Sequence, residues 1–211
     1  MKGFSKPVLV LSAVLALYGV VALIFYFEDL RYSLPTPKPE NFSLIPENTK
    51  VSLPQFQIKK PTLVHFFNPE CPCSKFNFNH IKELKKDYLG KIDFIFVLET
   101  KSKNGMIKFK EKFDLGLEFL LDPDGSIAKS FGVYSTPQAV LLSSDSKIYY
   151  RGNYNSSRYC NLRKSQYARI AIEELLKENE LASLPQDAKT PYGCELPSNK
   201  SKLFTTIFPF L

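Results

Sequence analysis

Residues 62–74, TLVHFFNPECPCS, decide both the predicted fold and the predicted chemistry of this chain. An apolar run ends in a turn that contains Cys71 and Cys73, and a helical pattern begins there. A thiol at a strand-to-helix turn faces the positive end of the helix dipole, which favours the reactive thiolate. A second thiol two residues away lies within reach for a disulfide. The stretch therefore predicts a redox site in which Cys71 attacks and Cys73 resolves the mixed disulfide.

Pro72 supports this placement of the helix start. Proline fits the first position of a helix because its missing N–H removes no hydrogen bond there. Cys71 is then the N-cap residue, next to the unpaired N–H groups of the first turn. Two alternatives stay open: Cys73 packs as a small buried thiol, or Cys71, Cys73 and His80 bind Cu(I), which prefers soft ligands. His80 argues against copper because it lies roughly 10 Å further along the helix axis.

An uncharged apolar segment, PVLVLSAVLALYGVVALIFYF, occupies residues 7–27. Its 21 residues are enough for a helix to cross a hydrocarbon layer of about 30 Å. Lys2 and Lys6 precede the segment, whereas Glu28 and Asp29 follow it, so the positive-inside rule predicts a cytoplasmic N-terminus. A cleaved signal peptide is the alternative, but its shorter apolar core and A-x-A site are absent. The sequence thus predicts a single-pass inner-membrane protein whose remaining residues are periplasmic.

Beyond this segment the sequence predicts one folded α/β domain. Strand-like and helix-like segments alternate, which is typical of a sheet with helices on its faces. The predicted strands are residues 63–67, 92–98, 139–142 and 147–151, with an edge strand within 51–58, and the predicted helices are residues 73–88, 106–113, 127–131 and 164–179. The chain is accordingly divided into a cytoplasmic N-terminus (1–6), a transmembrane anchor (7–27), a proline-rich tether (28–50), the folded domain (51–182) and a C-terminal extension (183–211).

The charge of the chain argues against one class of partner. Lys and Arg number 28 against 21 Asp and Glu, which gives a net charge of +7. The charges are mixed along the sequence, as in KELKKD at residues 82–87, and no basic block is interleaved with aromatic residues. The pattern indicates a solvated basic surface and not a nucleic-acid-binding protein.

Three stretches, taken in order, resemble the thioredoxin superfamily and in particular the membrane-anchored TlpA/ResA-like redoxins of bacterial envelopes. They are KPTLVHFFNPEC at residues 60–71, LDPDGSIAKSFGV at residues 121–133 and STPQAVLL at residues 135–142. The resemblance implies a thioredoxin-like fold, with a central mixed sheet flanked by helices. It also implies that Cys71 is the nucleophile, that Pro137 is the cis-proline, and that the backbone of Thr136 pairs with an extended substrate.

The chain departs from that family in the spacing of its cysteines. The family usually has two residues between them, and counting from Cys71 its second cysteine would fall at Ser74. The site is therefore an atypical Cys-Pro-Cys. The resolving thiol stays open between Cys73, Cys160 and Cys194, and a further alternative is that Cys71 works as a monothiol. The sequence also has no clear match for the acidic residue that many thioredoxins bury beneath their cysteines.

Cys160 and Cys194 lie far from the first two cysteines along the chain. In an oxidising compartment disulfides persist. The simplest interpretation is a structural disulfide between Cys160 and Cys194 that ties the C-terminal extension to the domain. Closing that loop of about 34 residues stabilises a fold by roughly 3–4 kcal/mol in the chain-entropy model. The alternatives are that Cys160 resolves the mixed disulfide, or that the two residues remain thiols or pair with cysteines of another molecule.

These observations predict a thiol-disulfide oxidoreductase that needs no organic cofactor, because the cysteines carry the electrons. Its expected partners are protein thiols or disulfides and a second redox protein that recycles the site. A thiol peroxidase is one alternative, although the residue three before Cys71 is Asn68 where such enzymes normally carry Thr or Ser. A copper-binding chaperone or assembly factor on the same fold is the other.

Overall fold

The computed structural model describes residues 6–100, 107, 109, 116, 118–157, 162–181 and 183–199. Their core is a five-stranded sheet in the order β3-β2-β1-β5-β6, in which β1 to β3 are parallel and β5 and β6 are antiparallel. The strands are β1 (Thr62–Phe67), β2 (Asp93–Leu98), β3 (Glu118–Leu121), β5 (Gln138–Leu142) and β6 (Ile148–Gly152). Two short strands, β4 (Ser135–Thr136) and β7 (Cys194–Glu195), pair with each other.

Strand β1 is central because its sequence is apolar on both faces. All six of its residues are buried, as expected for a strand covered on both sides. Alternate side chains enter two cores: Leu63 and Phe67 lie in one, whereas Val64 and Phe66 lie in the other. The cysteine turn therefore extends from the middle strand of a sheet that is fixed from both faces.

Helices cover the two faces of the sheet. One core packs against α4 (Phe78–Asp87) and α6 (Tyr167–Leu176), and the other packs against α5 (Ser126–Ser130). The remaining short helices of the domain are α3 (Pro72–Phe76), a 3₁₀ turn (Arg163–Ser165) and α7 (Gln186–Lys189). A mixed sheet between two helical layers confirms the predicted thioredoxin-like fold class.

An apolar helix precedes the domain. Helix α1 (Lys6–Phe25) continues through a π-helical turn (Tyr26–Leu30) into α2 (Arg31–Ser33). The whole stretch has a mean hydropathy of 2.8 in its most apolar window, and no residue of that window is buried. By length and composition this helix is able to cross a membrane, a test that a signal sequence near an N-terminus also passes.

Several predicted elements differ from the structure. The predicted helix 73–88 is divided at Asn77 into α3 and α4. The edge strand expected within 51–58 is replaced by isolated bridges, Lys50 with Lys147 and Leu53 with Phe56. Strand β3 was not predicted, because its short sequence, EFLL, merges into the turn that follows. The predicted helix 106–113 lies largely outside the described residues.

Candidate active site at the cysteine cluster

Three cysteine sulfurs meet at the carboxyl end of β1. Cys71 forms a disulfide with Cys194, with 6.1 Å between their Cα atoms, and Cys73 remains a buried thiol. The three sulfur atoms lie within 4.8 Å of one another. The predicted disulfide between Cys160 and Cys194 is wrong in this structure, because Cys194 is bonded to Cys71. Cys160 itself lies outside the described residues.

The turn that carries Cys71 is built by Asn68. The Asn68 carbonyl accepts the N–H of Cys71 at 3.0 Å, and its side-chain oxygen accepts the N–H of Glu70 at 2.8 Å. Cys71 is the N-cap residue of α3 and Pro72 occupies its first turn, as the sequence predicted. The Cys71 side chain makes no capping hydrogen bond, and its sulfur is bonded to Cys194.

The loop before β5 forms the opposite wall of the site. The Thr136–Pro137 peptide bond is cis, and the Thr136 carbonyl oxygen lies 3.6 Å from the Cys71 sulfur. Ser135 and Thr136 are both fully buried. The structure thus brings together Cys71, Cys73, Thr136 and Pro137, the residues that the sequence analysis had singled out.

The C-terminal extension covers this loop. Strand β7 pairs antiparallel with β4, with Cys194 opposite Thr136 and Glu195 opposite Ser135. The Ser135 hydroxyl lies within hydrogen-bonding distance of two carbonyl oxygens of the extension, at 3.2 Å from Tyr192 and 3.3 Å from Cys194. The disulfide and the strand pairing therefore hold the extension at the same place.

Glu99 is a candidate site residue that the sequence analysis did not find. It follows β2 directly, it is 2% exposed, and its N–H donates to the Phe67 carbonyl at the end of β1. Its carboxylate accepts the backbone N–H of Ser198 from the C-terminal extension. A charged residue immediately after the apolar stretch 92–98 was the available signal. Glu99 therefore supplies a buried acidic residue at the carboxyl end of β2, next to the end of β1 from which the Cys71 turn extends.

The two histidines belong to the core. His65 on β1 lies 2.7 Å from the Tyr154 hydroxyl, and burial lowers its pKa to about 3. Burial, followed by the charge of Arg169, lowers the pKa of His80 to about 4. Among the described residues the cluster of metal-binding side chains at the site contains Cys71, Cys73 and Cys194, without His80.

The lowered histidine pKa values predict acid sensitivity. His65 and His80 are neutral in the folded chain but take up a proton below pH ~6.5 when unfolded. The contribution of each neutral histidine to the free energy of unfolding is therefore complete above that pH. It is lost as the pH falls towards about 4 for His80 and about 3 for His65. Each histidine is expected to lower the free energy of unfolding by up to about 1.4 kcal/mol per pH unit in that window.

Urea unfolding between pH 7 and pH 4.5 measures this slope. The variant His80→Leu is the matched control, because leucine does not titrate and tolerates a buried helical position. Its slope is expected to be about half that of the unmodified chain, since one of two histidines remains. A free energy of unfolding that stays constant down to pH 4.5 would contradict the prediction.

Comparison with known proteins places this geometry in a family. Residues 43–195 match the family described as "Domain of unknown function (DUF6436)". The chain belongs to this family. The DUF6436 region contains all three clustered cysteines and the cis-proline loop.

Two curated relatives link the DUF6436 chain to a named activity. Each is called "Thiol-disulfide oxidoreductase ResA", from Bacillus thuringiensis and Bacillus cereus, and each is 29% identical over 104 residues, or 48% of this chain. The matched region spans 59% of the length of each relative. The resemblance to ResA-like redoxins of the thioredoxin superfamily is thereby confirmed.

Two solved structures share the fold of the DUF6436 chain. A hypothetical protein from Sinorhizobium meliloti has a TM-score of 0.62 at 18% identity, with 74% of this chain and 96% of that chain covered. An uncharacterized conserved protein from Geobacillus kaustophilus has a TM-score of 0.61 at 22% identity, with 77% and 97% covered. At these identities the likeness concerns the fold alone.

Proposed function

We propose that the chain is a membrane-anchored, extracytoplasmic thiol-disulfide oxidoreductase that exchanges disulfides through Cys71, with Cys194 and Cys73 as resolving thiols. The observation that carries the proposal is the cluster of three sulfurs within 4.8 Å, one pair of them already a disulfide. The similarity to proteins named thiol-disulfide oxidoreductase supports it.

The exchange balances without any other oxidant. A substrate thiolate attacks the Cys71 sulfur, the Cys71–Cys194 bond breaks, and Cys194 leaves with the electron pair as a thiolate. A second substrate thiolate then attacks the mixed disulfide, so the substrate becomes a disulfide and Cys71 a thiolate. Two electrons have passed from the substrate to Cys71 and Cys194. The reverse sequence reduces a substrate disulfide, and a recycling redox partner sets the direction.

Cys73 is a second thiol that is able to resolve the mixed disulfide at Cys71. Its sulfur lies within 4.8 Å of both other sulfurs, although the residue is fully buried. It resolves a mixed disulfide at Cys71 from inside the protein, where no substrate thiol reaches. Thr136 and Pro137 form the substrate-binding wall, because the Thr136 backbone lies next to the Cys71 sulfur.

The apolar helix supports an extracytoplasmic location for this reaction. Residues 7–27 anchor the chain in the cell membrane, and the lysines before them hold the N-terminus in the cytoplasm. The domain then lies in the periplasm, where disulfides are maintained. Its partners are protein thiols and disulfides together with the recycling redox protein, and neither nucleic acid nor an organic cofactor takes part.

Trapping of a mixed disulfide tests the proposed function. The double variant Cys73→Ser/Cys194→Ser keeps Cys71 and removes both resolving thiols. The Cys71 thiolate attacks an insulin disulfide, one insulin sulfur leaves as a thiolate, and the other is expected to stay bonded to Cys71. The matched variant Cys71→Ser/Cys73→Ser keeps Cys194 and is expected to accumulate at least about tenfold less adduct, because Cys194 lies on a strand and not at a helix start, where the thiolate is favoured. Mass spectrometry of the alkylated, unreduced chain locates the adduct. Equal trapping by both variants would refute the assignment of Cys71.

A second candidate function is Cu(I) binding by a chaperone or assembly factor. Three sulfurs within 4.8 Å are the observation that favours it, since reduction of the disulfide leaves three thiols at one point. Thiolates are soft ligands suited to Cu(I). Cys71 is 2% exposed and Cys73 is fully buried, so two of the three sulfurs are shielded from water, whereas Cys194 is partly buried.

Titration of the reduced chain with Cu(I) against a competing chelator, under nitrogen, tests copper binding. One copper per chain is expected. The variant Cys194→Ser is expected to bind roughly 100-fold more weakly, since losing a direct ligand costs at least as much as losing a supporting contact. Cys160→Ser is the control, because it leaves the three-sulfur cluster intact. Equal affinity in the unmodified chain and Cys194→Ser would eliminate this function.

A further inference from the structure

The C-terminal extension lies against the active site in the manner of a bound peptide. Strand β7 runs antiparallel to β4, and Cys194 is opposite Thr136 while its sulfur is bonded to Cys71. An extended segment that pairs with the backbone before Pro137 and is linked through its own cysteine has the arrangement of a mixed disulfide. The chain therefore contains, in its own sequence, an example of a segment that binds along β4 beside the Cys71 sulfur.

We propose that the substrates of this site are extended segments with glycine immediately before the reacting cysteine, and that residues 192–196, YGCEL, are a built-in copy of such a segment. The proposal rests on the proposed function, because it names the substrate class of the same site. Gly193 provides the first argument. A Cβ atom at Gly193 would come well within 3.0 Å of the Thr136 carbonyl oxygen, and the Gly193 φ angle is +120°. The obstacle is backbone of β4, which has no side-chain freedom with which to move aside.

Two further side chains of YGCEL fill defined places. Two residues before the cysteine, Tyr192 is 9% exposed and its hydroxyl donates to the Asn155 carbonyl at 3.2 Å. Two residues after the cysteine, Leu196 is 2% exposed and packs in the core beneath α5. Glu195, between them, is only partly buried. The binding site along β4 thus favours a five-residue pattern: an aromatic residue, then glycine, then the reacting cysteine, then any residue, then an aliphatic residue.

The substrate segment and YGCEL compete for one edge. When a substrate thiolate attacks the Cys71 sulfur, the Cys71–Cys194 bond breaks and Cys194 leaves as a thiolate with the electron pair. The new bond joins Cys71 to the substrate, so the number of disulfides is unchanged. The substrate strand then takes the place of β7 on β4. Weakening the pairing of β7 should therefore speed the reaction of an external segment.

Synthetic peptides test the selection of glycine. The acetylated, amidated thiol peptide TPYGCELPSN (residues 190–199) is compared with the same peptide carrying alanine in place of glycine. Each is added to the oxidised full chain in detergent, and acid-quenched mass spectrometry measures the rate of adduct formation at Cys71. The rate of the alanine peptide is expected to be lower than that of the glycine peptide by a factor of about ten or more, because its added methyl group meets fixed backbone. Rates within a factor of about two would overturn the proposal.

A small thiol, 2-mercaptoethanol, separates this proposal from the proposed function. If 2-mercaptoethanol reduces the Cys71–Cys194 disulfide while neither peptide forms an adduct, the Gly-Cys selection is refuted and the disulfide chemistry stands. If neither the small thiol nor a peptide reacts at the folded site, the proposed function itself fails.

Two variants of the chain provide an internal check. Gly193→Ala is expected to raise the rate of the glycine peptide about tenfold, because its own extension no longer fits against β4. Glu195→Ala is the matched control, since it removes a partly buried side chain and keeps the backbone pairing with Ser135. Circular dichroism confirms that both variants are folded. Equal peptide rates in the two variants would overturn the competition.

Discussion

Replacement of Cys71 by serine is expected to lower the rate of insulin-disulfide reduction by roughly 10³-fold or more. Removal of the covalent nucleophile lowers the rates of other enzymes by at least this factor. A hydroxyl group neither attacks a disulfide at neutral pH nor holds a mixed disulfide. The measurement is the rate of insulin precipitation with the detergent-solubilised full chain and dithiothreitol as the reductant.

Cys194→Ser is the matched control for this prediction. Both variants lose the Cys71–Cys194 bond and the stability that it gives, but only Cys194→Ser keeps the proposed nucleophile, Cys71. It also keeps Cys73, whose sulfur lies within 4.8 Å of that of Cys71. The control is expected to retain turnover within about tenfold of the unmodified chain, because a resolving thiol remains. Equal loss in the two variants would assign the effect to folding and not to the chemistry of Cys71.

Loss of the Cys71–Cys194 disulfide is expected to lower the free energy of unfolding by about 5 kcal/mol in the chain-entropy model. The bond closes a loop with a sequence separation of 123 residues. Closing a long loop lowers the conformational entropy of the unfolded chain, which stabilises the folded state relative to it. A loss of this size is a large fraction of the 5–15 kcal/mol that is typical of folded proteins. The oxidised form is therefore the stable form.

Guanidinium unfolding of the unmodified chain and of Cys194→Ser measures this difference. Addition of reductant should bring the unmodified chain to the stability of Cys194→Ser and leave the variant unchanged. Cys160→Ser, which retains Cys71 and Cys194, is expected to behave as the unmodified chain does. A difference below about 1 kcal/mol between the oxidised and the reduced chain would show that the bond adds little constraint.

The fold was predictable wherever the signal is local. The run TLVHFF gives a strand buried on both faces, and the proline after Cys71 marks a helix start, so β1 and the N-cap position follow from neighbouring residues. The division of the helix at Asn77 was missed, because α4 takes its position from the core and not from sequence periodicity. Strand β3 was missed because four residues carry too short a pattern.

The cysteine pairing was not predictable because it depends on distant contacts. Cys194 reaches Cys71 only after β4 has been placed by the sheet and β7 has paired with it in a single register. Spacing along the chain favours Cys160 as the partner of Cys194, and spacing alone contains no information about that register. Glu99 was missed for a similar reason, since its neighbours at Phe67 and Ser198 come from opposite ends of the domain.

The position of Cys194 also bears on how the chain matures. A ribosome makes the chain from its N-terminus, so Cys71 and Cys73 emerge together, and Cys194 follows only after all five strands of the central sheet have been synthesised. Before Cys194 is made, Cys73 is the cysteine nearest to Cys71 along the chain, and Cys160 is the next to be synthesised. Closure of the Cys71–Cys194 disulfide, over a sequence separation of 123 residues, therefore comes late in synthesis. A chain truncated before β7 lacks Cys194 and leaves Cys71 without this long-range partner.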